Sequence, residues 1–490
     1  MARSIMIQGT MSNVGKSLIC AALCRIFRQD GYTSAPFKSQ NMALNSFVTS
    51  DGCEIGRAQA MQAEAAGIEP SVLMNPILLK PTTERGSQVI VEGKVLGNMQ
   101  AAEYFRHKKS LVPIIKSAYS RLSEQADIIV IEGAGSPAEM NLKADDIVNM
   151  GMAEIADAPV LLVGDIDRGG VFAQLIGTVS LLEESERRRI RGLIVNKFRG
   201  DKSLFNDGVD ILQQKTGIRV LGVVPYIHCD IDDEDSLSDT LGYKSEGLIN
   251  IAVIKLPKIS NYTDTEPLRQ YRGVAVRYID RVSELGAPDM IVIPGSKSTI
   301  ADMKWLRESG FEAVIKQKVS WGTLLFGICG GYQMLGKTIS DPLSSECGGE
   351  ISGMGLLDME TVFHGEKCQR QSEGIVTAEG SILSEANGAA VCGYEIHMGE
   401  TASNEMPFIR LADGSSAGSF RDNIFGTYLH GIFDEAGLSS AVIKLLFIKK
   451  GLPFECAVSR REYKESQYDL LADSVRNAVD MQKIYDILSI

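Results

Sequence analysis

Short apolar runs recur along the chain with glycine-rich or polar exits, at Ile5–Ile7, Ile128–Ile131, Val160–Val163, Leu193–Val195 and Val220–Val224. Between several of them the apolar spacing turns helical. Leu18, Ile19, Ala22, Leu23, Ile26 and Phe27 share one helical face, and Gly31 suits a C-terminal cap. Buried strands separated by helices predict a mostly parallel sheet covered on both faces, so the first half reads as doubly wound α/β. The pattern stops around His228, where Asp230, Asp232, Asp233, Glu234 and Asp235 read as a solvated connection. A second α/β series follows at Ile251–Ile254, Val274–Val276, Met290–Ile293, Leu324–Ile328 and Phe425–Leu429. The expected organisation is therefore a first domain over 1–228, an acidic linker over 229–248, and a second domain over 249–436. Residues 437–490 carry helical spacing without strand signals and are expected to pack as helices on the second domain.

A length of 490 residues fits two or three domains, and 44% hydrophobic with 23% charged residues excludes a disordered or fibrous chain. Fifty Lys plus Arg against 62 Asp plus Glu give a formal charge of -12, so a nucleic-acid partner has no global electrostatic support. Anionic ligands would need local cations, which directs attention to Lys16, Lys38, Lys80, Arg85 and Arg168. Nine cysteines spread from Cys20 to Cys456 lack paired metal-type spacing, which points away from a disulfide framework or a zinc site. A reducing compartment fits that usage. No segment approaches about 18 uninterrupted apolar residues, so a soluble cytoplasmic protein without a membrane partner is expected.

Gly9-Thr10-Met11-Ser12-Asn13-Val14-Gly15-Lys16-Ser17 leaves a predicted strand and opens a predicted helix, the context of a phosphate-binding loop. Backbone N–H groups there would cradle phosphate oxygens, Lys16 would neutralise the outer phosphates, and the Ser17 hydroxyl would reach Mg²⁺. The first glycine, Gly9, comes one residue earlier than usual, with Thr10 at the ordinary position; this longer loop resembles that of dethiobiotin-synthetase-like enzymes. Glu132 ends the strand Ile128–Ile131 and is the candidate metal carboxylate, with Asp51 a second. Asn196, at the exit of Leu193–Val195, is a candidate reader of the purine edge.

The run Leu324–Ile328, Cys329, Gly330, Gly331 has the strand, G-x-C-x-G and helix order of a nucleophile elbow with sulfur in place of oxygen. A thiol at such a turn faces a helix N-terminus, which favours thiolate. His430 ends another apolar strand, and strand ends on one side of a parallel sheet converge, so it is the candidate base. Gly295 and Ser296, also after a strand, together with Gly330 would supply an oxyanion hole and contact the acyl substrate. His397, in Gly393–His397, either lines or supports this site.

The ordered set GTMSNVGKS, PFKSQNMALNS, GRAQAMQAEAAG, NPILLKP, EGAGSPAEMNL, GDIDRGGVFA, NKFRGD, PGSKST, GICGGYQMLG, GYEIHMG and YLHGIF resembles the cobyrinate amidating synthetases over nearly the whole chain. The resemblance implies a P-loop, dethiobiotin-synthetase-like domain followed by a class I glutamine amidotransferase-like domain. It implies ATP and Mg²⁺ as cofactors. The implied reaction is glutamine-dependent amidation of the b, d, e and g carboxylates of adenosylcobyrinic acid a,c-diamide, a late step of cobalamin synthesis, with small molecules as the only partners. By the same resemblance Lys38, Gln40, Asn41, Asn45, Glu139, Asn141, Asp146 and Arg168 are candidates for holding the corrinoid. Ordinary triad amidotransferases carry a glutamate two residues after the histidine, where this chain has Ile432. A Cys–His dyad, or an orienting carboxylate elsewhere, follows. The sister reaction on the a and c carboxylates of cobyrinic acid is the nearest alternative. A partitioning-type P-loop ATPase is the alternative of another class, and it carries a signature lysine where Met11 stands. A third alternative makes the second domain a thiol peptidase or a chaperone-like protein.

Overall fold

The computed structural model describes residues 2–82, 86–231, 247–455 and 459–490. Arg85, Cys456 and the acidic residues 232–235 lie outside the described residues. The chain forms two compact units, one of Met1–Ala43, Glu54–Ile231 and Lys464–Ile490, the other of Leu44–Cys53 and Asp232–Tyr463.

In the first unit a six-stranded parallel sheet runs in the order Val220–Pro225, Ile190–Phe198, Val160–Asp165, Arg3–Gly9, Ile128–Glu132 and Ser34–Phe37. Alternation along the central strand sends Ile5 and Ile7 to one face and Met6 to the other. Ile5 and Ile7 pack with Ile19, Leu23 and Phe27 of the helix Lys16–Gln29. Met6 packs with Ile115, Leu175 and Val179. Both faces are therefore covered, as expected for a doubly wound sheet. The chain order reverses beside the central strand, which places the loop after Gly9 at the crevice where such sheets bind ligands. A smaller sheet of Gln40–Met42, Ile77–Pro81, Gly86–Val91 and Lys94–Gln100 was not foreseen.

The second unit holds a seven-stranded sheet whose first five strands, Val274–Ile279, Ile249–Ile254, Met290–Ile293, Leu324–Ile328 and Ile424–Thr427, are parallel. Gly418–Arg421 and Met406–Pro407 continue it antiparallel. A long antiparallel pair, Met359–Val376 with Ala390–Ser403, builds a further sheet.

The terminal segment departs from expectation. Helix Ala436–Lys449 packs in the second unit through Leu438, Val442 and Leu446. Residues 464–490 belong to the first unit instead, where Tyr468, Leu471, Val475 and Ile484 share the core of Ile5 and Phe27. Buried Arg25 fixes them further, reaching Glu465 at 2.7 Å and Asp469 at 2.8 Å. Helical spacing reveals that a face is apolar without saying which core it covers.

Candidate functional site

The loop after Arg3–Gly9 is shaped by close approach. Asn13 and Gly15 adopt φ of 60° and 95°. A Cβ on Gly15 would lie 2.3 Å from Asn196 Nδ2. A Cβ on Gly9 would lie 2.6 Å from Val14 Cγ2 and 3.0 Å from Lys16 Nζ. Thr10 is still held to the sheet, its N–H on the Val163 carbonyl at 2.9 Å and its hydroxyl on Gln174 at 3.1 Å. The crowded position is thus residue 9, which accounts for the displaced glycine. Lys16 Nζ donates to the carbonyls of Met11 and Gly135, at 3.0 and 3.3 Å.

Glu132 is the centre of this site. Its Oε1 accepts the Ser17 hydroxyl at 2.9 Å and Lys38 Nζ at 2.9 Å, while Oε2 accepts Gln62 Nε2 at 2.6 Å. Burial alone would raise its pKa, but the charge and hydrogen bond of Lys38, with Gln62 and Lys16, hold it below the ordinary value. The carboxylate is therefore ionised at neutral pH. A hydroxyl and an ionised carboxylate in contact form the hard-oxygen pair that Mg²⁺ takes beside a nucleotide's phosphates. Among the described residues no group of three or more His, Cys, Asp or Glu side chains could hold a metal, so phosphate and water would complete such a shell.

The other first-half candidates divide. Gln40 accepts the Tyr104 hydroxyl at 2.5 Å, and buried Asn41 donates to Gln59 at 3.0 Å. Glu139, Asn141 and Arg168 are exposed. Asp146 caps the start of helix Met150–Ile155, accepting the N–H groups of Val148, Asn149 and Gly151 at 2.8, 2.9 and 3.0 Å. Asn196 donates to the Val14 carbonyl at 2.8 Å, bracing the loop with the amide nitrogen that a purine edge would need. Lys80 forms a buried pair with Glu54 at 2.8 Å. Asp51 and Asn45 both lie in Leu44–Cys53 of the second unit, where exposed Asp51 accepts the Thr49 hydroxyl within its own turn.

In the second unit Cys329 follows Leu324–Ile328 with φ 51° and ψ -108°, a strained conformation suited to a nucleophile elbow. A Cβ on Gly331 would lie 1.9 Å from the Ile293 carbonyl oxygen, and one on Gly330 2.8 Å from Ser296 N. Only glycines permit this turn, and the same closeness sets Gly330 beside the Ser296 amide. Gly295 borders His430, since its Cβ would lie 3.2 Å from the imidazole Cε1. The His430 imidazole lies beside Cys329, whose Sγ–H donates to the Ile396 carbonyl at 3.8 Å. Burial alone would raise the thiol's pKa, but the neighbouring His430 imidazole and its charge, and then the His397 charge, lower it.

The orienting carboxylate is Asp264, which the sequence did not disclose. His430 Nδ1–H donates to its Oδ2 at 2.7 Å, and the Gly431 N–H to its Oδ1 at 2.8 Å. Against burial, which acts to lower it, the Asp264 charge and hydrogen bond with Cys329 push His430 up to about 10. Asp264 comes from the 3-10 helix Tyr262–Gln270, which lacks the apolar-run-then-acid signal that marks a strand end. Ile432, where a glutamate would stand, is fully buried in the apolar core. His397 stacks on Tyr428 with ring centroids 3.8 Å apart and bonds the Gly399 carbonyl at 2.8 Å through Nδ1.

No helix among the described residues is long and apolar enough to cross a membrane. Residues 5–236 match the CobQ/CobB/MinD/ParA nucleotide binding domain, and residues 250–437 the CobB/CobQ-like glutamine amidotransferase domain. Over its full length the chain is 55% identical to the cobyric acid synthase of Lachnoclostridium phytofermentans, covering 99% of that protein. It is 54% identical to that of Ruminiclostridium cellulolyticum, over 100% of this chain and 97% of the relative. The protein of the same name from Alkaliphilus metalliredigens is 54% identical, with 99% of each chain covered. At that identity and coverage the chain belongs to the cobyric acid synthase family, and its paired nucleotide-binding and glutamine amidotransferase parts make it a glutamine-dependent amide ligase.

Proposed function

We propose that this chain uses glutamine and ATP to amidate the b, d, e and g carboxylates of adenosylcobyrinic acid a,c-diamide, giving adenosylcobyric acid. The observation that carries the glutaminase half is a thiol at an elbow, beside an imidazole whose Nδ1 rests on a buried carboxylate. The Cys329 sulfur attacks the glutamine carboxamide carbon, and His430 passes its proton to the departing nitrogen. The N–H groups of Ser296 and Gly330 receive the oxyanion. Water then attacks the thioester carbonyl, with His430 taking the water proton, so that glutamate leaves and the thiol is restored.

In the other half the acceptor carboxylate oxygen attacks the γ-phosphorus of ATP, ADP leaves, and an acyl phosphate forms. Ammonia displaces phosphate from it to give the amide. Ser17 and Glu132 are the residues that would hold Mg²⁺, which supplies charge neutralisation for phosphoryl transfer. Lys16 and Lys38 are the cations beside that position, and both are buried. The soluble substrates are the only partners this reaction needs, and the cytoplasm is where they would be met. Support for the acceptor comes from the named relatives.

The test is mass spectrometry of the corrinoid after incubation with adenosylcobyrinic acid a,c-diamide, MgATP and amide-labelled [¹⁵N]glutamine. The expected result is a stepwise series ending in four labelled amides, with one ATP and one glutamine consumed per amide. Glutamate accumulating over an unchanged corrinoid would remove the acceptor assignment and direct the assay to cobyrinic acid. Lys16→Ala should lose amidation while still hydrolysing glutamine, and Cys329→Ser should amidate only with added ammonium.

A further inference from the structure

The segment Leu44–Cys53 is an excursion of the first half of the chain that packs within the second unit. It is tied to the strand Met359–Val376 through Gln369 and Gln371, and it also contacts both elements that hold the His430 ring. Toward the first, the Tyr262 N–H donates to Asn45 Oδ1 at 3.3 Å, and the Ser46 N–H donates to Asn261 Oδ1 at 3.0 Å. Asn261 is left-handed, with φ 49°, and leads into the helix Tyr262–Gln270 that carries Asp264. Toward the second, the Tyr394 hydroxyl donates to the Ser46 carbonyl at 3.0 Å. The Phe47 ring meets the Tyr394 ring edge-on at 5.6 Å, and Val48 shares a buried cluster with Tyr394 and Ile396.

Tyr394 in turn bears directly on the imidazole. Its backbone exchanges hydrogen bonds with His430 in both directions, at 3.2 and 2.9 Å. Its ring lies on the His430 ring, with centroids 5.2 Å apart and planes 21° from parallel. The stack opposes rotation of the imidazole about its own bond, which would carry Nδ1 off Asp264. Ser46, through its own N–H and C=O, ties the Asp264 side of the histidine to the Tyr394 side. We propose that Asn45, Ser46 and Tyr394 form a bracket that positions the Asp264–His430 pair, so that glutamine hydrolysis depends on an insert supplied by the N-terminal half of the chain. This rests on the reading of Cys329 and His430 as the glutaminase pair. The three are positioning residues, acting through the geometry of His430, where small displacements of a catalytic group cost large factors in rate.

The test compares full-length Asn45→Ala, Asn45→Asp, Tyr394→Phe and Cys329→Ser enzymes with the wild type. Three readouts are taken: glutamine hydrolysis, the pH profile of Cys329 alkylation by iodoacetamide, and amidation driven by ammonium chloride. For Asn45→Ala and Tyr394→Phe, kcat for glutamine should fall about tenfold, the scale of one lost hydrogen bond, with KM little changed. The alkylation profile should move to higher pH. Asn45→Asp keeps an oxygen for the Tyr262 N–H and should restore most of the rate, and it also serves if the alanine variant fails to fold. Ammonium-driven amidation reports that the rest of the enzyme is intact. An alkylation profile superimposable on the wild type, or an Asn45→Ala enzyme whose defect is a raised KM for the corrinoid with ammonium, would overturn the bracket while Cys329→Ser still confirmed the glutaminase reading. A Cys329→Ser enzyme that still used glutamine would overturn both.

Discussion

Replacing Asp264 by Asn keeps the shape of the side chain and removes the charge that holds His430 protonated. His430 is pushed up to about 10 from an ordinary 6.5, with Asp264 the leading favourable cause, while burial works the other way. Without that charge the buried ring becomes neutral near pH 7.5, and the Cys329 thiol loses the cation that lowers it. At an ordinary thiol value near 9, only about 3% is thiolate at pH 7.5, about thirtyfold less than a fully formed thiolate–imidazolium pair. The Asn amide can also turn its NH₂ toward Nδ1 and favour the wrong tautomer, which brings the expected loss in glutamine-dependent kcat to between about 10² and 10⁴. The assay is the pH-rate profile of Cys329 alkylation beside glutamate release. Asp264→Asn should convert a profile reactive through neutral pH into one rising toward that of an isolated buried thiol. A variant within threefold of wild type at pH 7.5 would refute the assignment of Asp264 as the orienting group.

Two further expectations concern stability. Arg25→Ala removes the cation that reaches Glu465 and Asp469 and should loosen the terminal helices from the first unit. Because Arg25 is buried and its partners are half exposed, a loss of about 1–3 kcal/mol is expected, with earlier proteolysis near residues 459–490; unchanged digestion would argue against that docking. Asp302, almost fully buried, has its carboxyl raised by burial from 3.8 to about 6, against hydrogen bonds from Ser296 and the Lys258 backbone. A raised acid binds its proton more tightly folded than unfolded, so its contribution is fully present below the unfolded value and is lost as pH rises through about 6. A shift of that size corresponds to at most about 3 kcal/mol, so the melting temperature of Asp302→Asn should fall less than the wild type's between pH 4 and 7. Parallel melting curves against pH would refute this.

The parts legible in the sequence are those whose chemistry is local. Gly9 to Ser17 and Gly327 to Gly331 are contiguous segments in which backbone crowding and reactive atoms coincide, so the residues that permit the turn also name the site. Glu132 was legible because an acid ending an apolar strand has one place to go in a doubly wound sheet. The roles of Asp264, Asn45 and Tyr394 were not, because each acts on a partner far away in the sequence that no local pattern names. Asn45 shows the difference: it is a polar residue in a family motif and a corrinoid candidate, and its carboxamide also accepts the Tyr262 N–H, a partner no local pattern names. Asp146 was likewise expected at a ligand, and its carboxylate caps a helix. Polar residues that stand out by type divide between ligand contact and backbone satisfaction only once their N–H partners are known.

The missing glutamate after His430 is best understood as a relocation of charge. In the ordinary arrangement the orienter and the base come from one loop, so their spacing is set by that loop. Here residue 432 lies in a core that also holds Phe326, Phe425 and Phe433, and the carboxylate arrives from the Tyr262–Gln270 helix. The position therefore cannot be exchanged for the function. Ile432→Glu should not rescue Asp264→Asn, because an unpaired carboxylate in that core would either take up a proton or cost several kcal/mol, and neither outcome delivers a charge to Nδ1. The double variant should melt well below Asp264→Asn and hydrolyse glutamine no faster. A double variant that regained glutaminase activity would mean that the 430–433 loop can turn its second residue toward the imidazole, and the fixed, two-sided grip on His430 argued from Asp264 and Tyr394 would then be wrong.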